Sequence, residues 1–164
     1  MVMKVIVIGP SLSGKTTLAR YLRSHSRLSI SEIDEELTKL NNGQYPSDDQ
    51  YKHTVLAPQI IKNVLAQTDL VFFANTDYFT WDDLKAARAN GFRIVCLSLG
   101  KDEFLKRNEG RMKNEGYDDM SRWLDGMLAY QRQLQDQHLA DQVIDASLPT
   151  EKIAEMVMDF SEKK

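Results

Sequence analysis

The feature that most constrains the fold is the stretch GPSLSGKT at residues 9–16, which follows the apolar run VMKVIVI at residues 2–8. An apolar run of this kind predicts a buried β-strand, and the residues from Lys15 to about 26 have a helical pattern. Two glycines between them let the backbone turn sharply. A strand, a glycine loop and a helix in this order are typical of a parallel α/β sheet.

The same stretch matches the motif G-x-x-x-x-G-K-[ST], the P-loop, which binds nucleotide phosphates when it lies between a strand and a helix. Its backbone N–H groups point inward, and the positive end of the helix dipole adds to the attraction for phosphate. We expect Lys15 to bridge the β- and γ-phosphates and the Thr16 hydroxyl to ligate Mg²⁺. The predicted nucleotide-binding residues of the loop are Gly9, Pro10, Ser11, Leu12, Ser13, Gly14, Lys15, Thr16 and Thr17.

Further apolar runs alternate with helical stretches, as in a parallel sheet with crossover helices. The later strands are predicted at residues 27–33, 70–74, 92–99 and 142–146. The later helices are predicted at 35–40, at 48–66, from the N-cap Thr80 to Gly91, from 102 to about 137 with breaks near Gly110 and Gly116, and from Thr150. The expected fold is a three-layer α/β/α P-loop NTPase fold with a five-stranded parallel sheet, in one domain spanning 1–164.

Composition limits the class of protein. The hydrophobic fraction of 42% and the charged fraction of 27% are typical of a soluble globular domain, and no apolar run is long enough to cross a bilayer. We therefore expect a cytoplasmic protein without a membrane partner, as a monomer or homodimer. The single cysteine, Cys96, lies in an apolar run and is expected to be buried. The net charge of −3 argues against a nucleic-acid partner but leaves a local basic groove open.

An acidic side chain follows the second predicted strand, at the edge of the sheet that faces the P-loop. Ligands bind at the carboxyl ends of the strands in open α/β sheets. Asp34 is therefore our candidate for the base that accepts the proton of an acceptor hydroxyl during attack on the γ-phosphate. Alternatively, Asp34 caps the helix beginning at Glu35. Glu32 and Glu35 are the next candidates for the base.

Polar residues also end the third predicted strand, in FFANTDYF at residues 72–79. Asp77 is predicted to support Mg²⁺ through water, with Asn75 or Thr76 touching a phosphate or the acceptor. A turn in which Asp77 bonds its own backbone explains the same pattern equally well.

The segment between the second and third strands is much longer than a usual helical crossover. We expect this insertion, about 35–68, to shape the acceptor pocket, with Tyr45, Tyr51 and His53 as candidates, although core packing explains these side chains equally well. The insertion contains no arginine. Because arginine is the usual residue for binding carboxylate and phosphate, we expect a neutral or weakly charged acceptor, such as a nucleoside, a sugar or another small alcohol.

A polar helical stretch after the fourth strand contains Arg107 and Arg111, four residues apart and hence on one helical face. We expect a short helical lid, about 107–122, whose guanidinium groups bind the phosphates and neutralise charge as the phosphoryl group moves. A solvated charged helix is the alternative, because glutamates are interleaved with these arginines.

Together these residues resemble the P-loop kinases of the nucleoside monophosphate kinase-like group, which includes adenylate, shikimate and gluconate kinases. Within that group the pattern is most similar to the kinase domain of polynucleotide kinase: a P-loop, an Asp after strand two, a D-T-N-like turn after strand three and R-N-x-x-R opening the lid. The resemblance implies ATP and Mg²⁺ as the donor, Asp34 as the base, and Arg107 and Arg111 on the nucleotide phosphates. Two features differ: Leu37 stands where that domain has an arginine, and the turn reads N-T-D.

The leading hypothesis is an ATP- and Mg²⁺-dependent phosphotransferase acting on a hydroxyl of a small molecule. The alternatives are a polynucleotide or nucleotide kinase, which the missing arginine disfavours, and a P-loop module that senses nucleotide without transferring phosphate. A Ras-like GTPase is disfavoured because the chain contains no N-K-x-D motif. The predicted catalytic residues are Lys15, Asp34, Arg107 and Arg111, and the predicted metal ligands are Thr16 and Asp77.

Overall fold

Five strands form one sheet in a computed structural model that describes residues 2–162, with side chains described for residues 2–159. The strands are β1 (Lys4–Ile8), β2 (Ile30–Glu32), β3 (Leu70–Ala74), β4 (Arg93–Ser98) and β5 (Gln142–Asp145). All pair in parallel, in the order β2-β3-β1-β4-β5. The predicted five-stranded parallel sheet is therefore confirmed. β2 is shorter than the predicted 27–33, because it begins only at Ile30 and Ile33 already begins a helix.

Helices connect the strands. They are α1 (Lys15–His25), α2 (Ile33–Leu40), α3 (Asp49–Tyr51), α4 (Ala57–Leu65), α5 (Trp81–Ala89), α6 (Lys101–Glu115), α7 (Leu124–Asp136) and α8 (Thr150–Glu162). A π-helical turn at Lys52–Leu56 joins α3 to α4, and a 3₁₀ turn at Ser121–Trp123 precedes α7.

The ends of α5 and α6 show how local sequence bounds a helix. Thr80 caps α5 as expected, in a capping box with Asp83. The predicted break near Gly110 is wrong, because α6 continues through this residue and ends at Gly116. Gly116 has a φ of 68°, the left-handed conformation that ends a helix, whereas a glycine inside a helix costs only about 1 kcal/mol.

The core lies on both faces of the sheet, which confirms the three-layer α/β/α architecture. Successive side chains of a strand point to opposite faces. Ile6 and Phe72 pack under α2, α4 and α5, while Val7 and Phe73 pack under α1 and α8. Cys96 is fully buried in the first of these clusters, as expected, and burial raises the pKa of its thiol to about 11. Between residues 2 and 162, no helix combines the length and apolar character that a membrane span requires.

The parallel arrangement places the carboxyl ends of the central strands together. Ile8 at the end of β1 pairs with Ala74 of β3 and with Cys96 of β4. The loops that follow β1 and β3 therefore lie side by side, next to the start of α2. This edge is where ligands bind in open α/β sheets.

Candidate active site

The loop after β1 is held in a tight curve. The Gly9 N–H donates to the Ala74 carbonyl at 3.2 Å, which ties the loop to β3. A Cβ atom at Gly9 would lie 2.6 Å from Ser13 Oγ and 3.0 Å from Leu97 Cβ, so a larger residue there would displace its neighbours. Gly14 has a φ of 88°, which glycine adopts without strain, and α1 begins at the next residue. The unpaired N–H groups at the start of α1 are thus available to a bound anion.

Lys15 folds back over this loop. Its Nζ donates to the carbonyls of Gly9 and Pro10, each at 2.7 Å. Burial lowers the pKa of Lys15 to about 7, although the nearby carboxylates of Asp34 and Asp77 act to raise it. A phosphate bound in the loop would raise this pKa further, because negative charge favours the protonated amine.

A cleft of about 1040 Å³ lies at this loop. Its walls come from the loop, the start of α1, the junction of β2 with α2, and α6. All four predicted catalytic residues line it, namely Lys15, Asp34, Arg107 and Arg111, together with Thr16. The structure therefore brings into one cleft residues that are far apart in the sequence.

Asp34 lies inside the first turn of α2. The helix begins at Ile33, and no side chain caps it, so the alternative in which Asp34 is the helix cap is wrong. Its carboxylate lines the cleft, and Tyr45 Oη lies 3.5 Å from Oδ1. Burial raises the pKa of Asp34, while Lys15 and Lys52 act to lower it. A carboxylate with a raised pKa is better matched to accepting a proton from a hydroxyl.

The two other acids considered for the base have other partners. Glu35 forms a salt bridge with Arg23. Glu32 lines the cleft and forms a salt bridge with Arg23. Burial raises the pKa of its carboxyl group, while the nearby Thr16 hydroxyl acts to lower it. Glu32 is therefore an acid beside the expected magnesium ligand, a position that the sequence analysis did not assign to it.

The turn after β3 connects the cleft to the insertion. Asn75 lines the cleft and Thr76 is buried. Asp77 Oδ2 lies 2.9 Å from His53 Nε2, and the His53 ring stacks on Tyr78 with ring centroids 4.9 Å apart. Asp77 is thus paired with a side chain of the insertion. Its role at the metal stays a prediction.

The two arginines of α6 differ in their surroundings. Arg107 Nη1 donates to the Leu12 carbonyl at 2.8 Å, and Nη2 donates to the Ala146 carbonyl at 2.9 Å. Arg107 therefore joins the tip of the P-loop to the segment after β5. The alternative of a solvated charged side chain does not describe this residue. Arg111 pairs with Glu115 and lies over the ring of Tyr117, 4.0 Å from the centroid. Phosphate binding by both arginines stays a prediction.

A second cavity, of about 770 Å³, adjoins the cleft and shares Ser11 and Asn75 with it. Its remaining walls come from the insertion, from residues 76–81 and from residues 120–130. Tyr45, a predicted pocket residue, lines this cavity, whereas Tyr51 lies outside it with 44% exposure. His53 is not among the residues that line the cavity, but its ring nitrogen contacts the carboxylate of Asp77, which does line it.

The described residues contain no ready-made cluster of metal ligands. No cluster of three or more His, Cys, Asp or Glu side chains is arranged to hold a metal ion between residues 2 and 159. Mg²⁺ is usually held by one or two protein oxygens together with substrate phosphates, so this finding is compatible with a nucleotide-borne ion.

Several solved structures with a similar fold are described as kinases of small molecules. A shikimate kinase from Aquifex aeolicus superposes with a TM-score of 0.73 at 16% identity, over 98% of this chain and 96% of that one. A sugar kinase from Janibacter has a TM-score of 0.70 at 18% identity, over 99% and 95%. A gluconokinase from Sinorhizobium meliloti has a TM-score of 0.63 at 15% identity, over 98% and 94%.

No protein-family model matches the chain, and no curated protein matches it significantly in sequence. The relationship is therefore visible in the fold and in the P-loop rather than along the sequence. At such low identity, the likeness concerns architecture. The predicted resemblance to shikimate and gluconate kinases is confirmed at this level. The chain has the fold of the P-loop kinases of the nucleoside monophosphate kinase-like group.

Proposed function

We propose that the protein is a Mg²⁺-dependent phosphotransferase that moves the γ-phosphoryl group of ATP to a hydroxyl of a small molecule. One observation carries this proposal: the two cavities adjoin, and an acid that lines the first contacts a tyrosine that lines the second. Asp34 shares the P-loop cleft with Lys15, and Tyr45 of the second cavity contacts its carboxylate. Small-molecule kinases among the similar folds support the same chemistry. We also propose that the protein acts in the cytoplasm.

The reaction follows from this placement. ATP binds with its phosphates on the P-loop, and the acceptor occupies the second cavity. The ionised Asp34 carboxylate takes the proton of the acceptor hydroxyl, whose oxygen forms a bond to the γ-phosphorus. The bond between the γ-phosphorus and the oxygen bridging it to the β-phosphate breaks, which leaves ADP and a phosphate monoester.

Cationic side chains stabilise the charge that shifts during transfer. Lys15 bonds the β- and γ-phosphates in place of the loop carbonyls that it contacts in this structure. Arg107 and Arg111 line the same cleft and neutralise the phosphates as segment 107–122 closes as a lid. Closure excludes water, so the phosphoryl group reaches the acceptor rather than solvent.

Magnesium fits the donor set beside the loop. Thr16 supplies a hydroxyl oxygen, and the carboxylate of Glu32 lines the same cleft. Oxygen donors of this kind are the ones that Mg²⁺ prefers. We propose Thr16 as the direct protein ligand and Glu32 as the acid nearest to it, with Asp77 acting through water. When bound, the ion neutralises phosphate charge and aligns the phosphates.

The test measures ADP release with Mg²⁺ and either ATP or GTP across nucleosides, nucleotides, sugars, other small alcohols and 5′-hydroxyl oligonucleotides. We expect acceptor-stimulated ADP release that is lost in both Lys15→Ala and Asp34→Asn. Slow hydrolysis that no acceptor stimulates, lost in Lys15→Ala and unchanged in Asp34→Asn, would show a nucleotide-sensing module instead. Turnover restricted to oligonucleotides would show a polynucleotide kinase.

A further inference from the structure

Aromatic side chains dominate the second cavity. Six of them line it: Tyr45, Tyr78, Phe79, Trp81, Trp123 and Tyr130. Part of this wall is fixed in place, because Tyr78 and Phe79 are buried and the rings of Trp81 and Tyr130 lie 4.8 Å apart. The Tyr130 hydroxyl also donates to the Phe79 carbonyl at 2.8 Å. The ring faces are therefore preorganised, and their polar atoms are partly satisfied within the protein.

Two of the six rings are much more exposed. Tyr45 is 50% exposed and Trp123 is 51% exposed, although both line the cavity. They come from different parts of the chain, the insertion and the turn after α6. Large aromatic surfaces left open at a cavity are typical of a binding site for a flat ring, because stacking buries apolar area and aligns the ring.

The charges in this cavity do not favour an anion. Among the described residues that line it, Lys52 is the one cation, and its Nζ lies 3.1 Å from Asp49 Oδ1. The same Nζ lies 3.4 Å from Tyr45 Oη and sits over the rings of Tyr45 and Tyr78. Its charge is thus already compensated by a carboxylate and two aromatic rings.

Acidic groups reinforce this preference. Asp49 and Asp77 both line the cavity, and no arginine does so among the described residues. A carboxylate or phosphate on the acceptor would meet like charge without a guanidinium partner, which is the usual means of binding such groups. The volume of about 770 Å³ lies within the range of small-molecule sites.

We infer that the acceptor is an uncharged or cationic alcohol that carries a planar heteroaromatic ring, of the nucleoside type. The inference rests on the phosphotransfer proposed above and names the substrate class of the same site. The ring stacks against Trp123 and Tyr45, and a hydroxyl of the attached polar part reaches Asp34. Hydroxy acids and nucleoside monophosphates are poor acceptors, because the one cation among the described lining residues, Lys52, already pairs with Asp49.

Binding is measured without ATP, so that it does not depend on turnover. The chain has two tryptophans, Trp81 and Trp123, and both line this cavity. Tryptophan fluorescence therefore monitors the site directly. Adenosine, guanosine, cytidine and uridine are titrated against ribose, uridine 5′-monophosphate and gluconate, with calorimetry as the second method. These ligands separate the contributions of the ring, the hydroxyls and the negative charge.

We expect at least one nucleoside to bind about tenfold or more tightly than ribose, which corresponds to one stacked base. We also expect uridine to bind more tightly than its monophosphate. The inference is overturned if no nucleoside binds, or if ribose, the monophosphate or gluconate binds as tightly as the nucleosides do.

Variants identify the stacking ring. Trp123→Ala should weaken nucleoside binding about tenfold by calorimetry, while Trp123→Phe should retain most of it. Tyr51→Ala is the matched control, because Tyr51 is a similarly exposed aromatic side chain outside the cavity. Unchanged binding in Trp123→Ala, with the fold intact by circular dichroism, would overturn the inference.

The outcomes separate the two proposals. Selective nucleoside binding without any acceptor-stimulated ADP release would overturn the phosphotransferase and leave the specificity of the cavity standing. Efficient turnover of gluconate or of a sugar without a ring system would confirm the phosphotransferase and overturn the inference about the acceptor.

Discussion

The two adjoining cavities are built in different ways. The P-loop cleft is organised around one continuous stretch, in which backbone groups and Lys15 bond the carbonyls of neighbouring residues. The second cavity is assembled from side chains of separate segments, with Tyr45 from the insertion and Trp123 from beyond α6. The phosphate-binding loop is therefore a property of local sequence. The second cavity, like the other walls of the cleft, is a property of the tertiary structure.

This difference has a consequence for function. A contiguous phosphate loop specifies the donor and is shared by proteins with many activities. A cavity made of side chains from several segments can change its chemistry through single substitutions while the fold is kept. We therefore expect changes in the loop to abolish all activity and changes in the second cavity to alter acceptor selectivity. Asp34, at the junction, should affect the chemical step.

The largest effect is expected at the loop. Lys15→Ala should lower kcat/KM about 10³-fold with every acceptor, because it removes a cation aimed at the transferring phosphate. The fold should persist, since burial makes the charge of Lys15 costly in the empty protein. Steady-state kinetics and thermal melting measure both effects.

Lys39→Ala is the matched control for this substitution, because the Lys39 side chain is 70% exposed and pairs with Glu36 on the surface. If Lys15→Ala lost activity with only one class of acceptor, the separation into a donor cleft and an acceptor cavity would be wrong.

Substitution at the junction should affect the chemistry more than binding. Asp34→Asn should lower kcat about 10²-fold or more and leave the KM for ATP nearly unchanged. In the wild type kcat should fall as the pH is lowered, since the base must be ionised. This fall should occur above the ordinary Asp pKa of about 3.9, because burial raises the pKa of Asp34.

The control is Glu35→Gln, which removes the neighbouring carboxylate that pairs with Arg23. A pH profile in Asp34→Asn that keeps the acidic limb of the wild type would contradict the assignment of the base.

The same contrast explains what the sequence could predict. Strands, the loop and α1 follow from short-range patterns, and Thr80 as a predicted N-cap marked the start of α5 correctly. Gly110 misled the prediction because a single glycine is tolerated in a helix that packs well. The aromatic cavity has no contiguous signal, because Tyr45 and Trp123 meet only through the fold.

Leu37 and Glu32 show what the structure adds to the sequence pattern. Leu37 stands where the polynucleotide kinase domain has an arginine, and it is a fully buried residue of α2 in the hydrophobic core. An arginine there would carry a charge into the core at a cost of several kcal/mol. Glu32 was considered only as a base, yet it lines the P-loop cleft together with Thr16. The signal in the sequence for this position of Glu32 was a pair of acids, Glu32 and Asp34, two residues apart at a strand end.

A smaller effect is expected where α6 supports the loop. Arg107→Lys should raise the KM for ATP about tenfold, because one ammonium group cannot reproduce the fork that bonds the carbonyls of Leu12 and Ala146. Arg88→Lys is the matched control, since Arg88 also bridges two groups, the His138 carbonyl and Asp141, away from the cleft. A rise in the KM of the acceptor alone would show that α6 belongs to the second cavity instead.

The smallest effect is expected from a single hydroxyl between the two cavities. Tyr45→Phe keeps the ring but removes the oxygen that contacts Asp34 and Lys52. Because the Tyr45 hydroxyl acts to lower the pKa of Asp34, its loss should move the acidic limb of the kcat profile to higher pH. The KM of the acceptor should change little, since stacking depends on the ring. Tyr45→Ala should raise that KM as well, and Tyr51→Phe should change neither quantity. If Tyr45→Phe leaves the acidic limb in place, the Tyr45 hydroxyl does not influence the pKa of Asp34 during catalysis. Tyr45 would then act only in binding the acceptor.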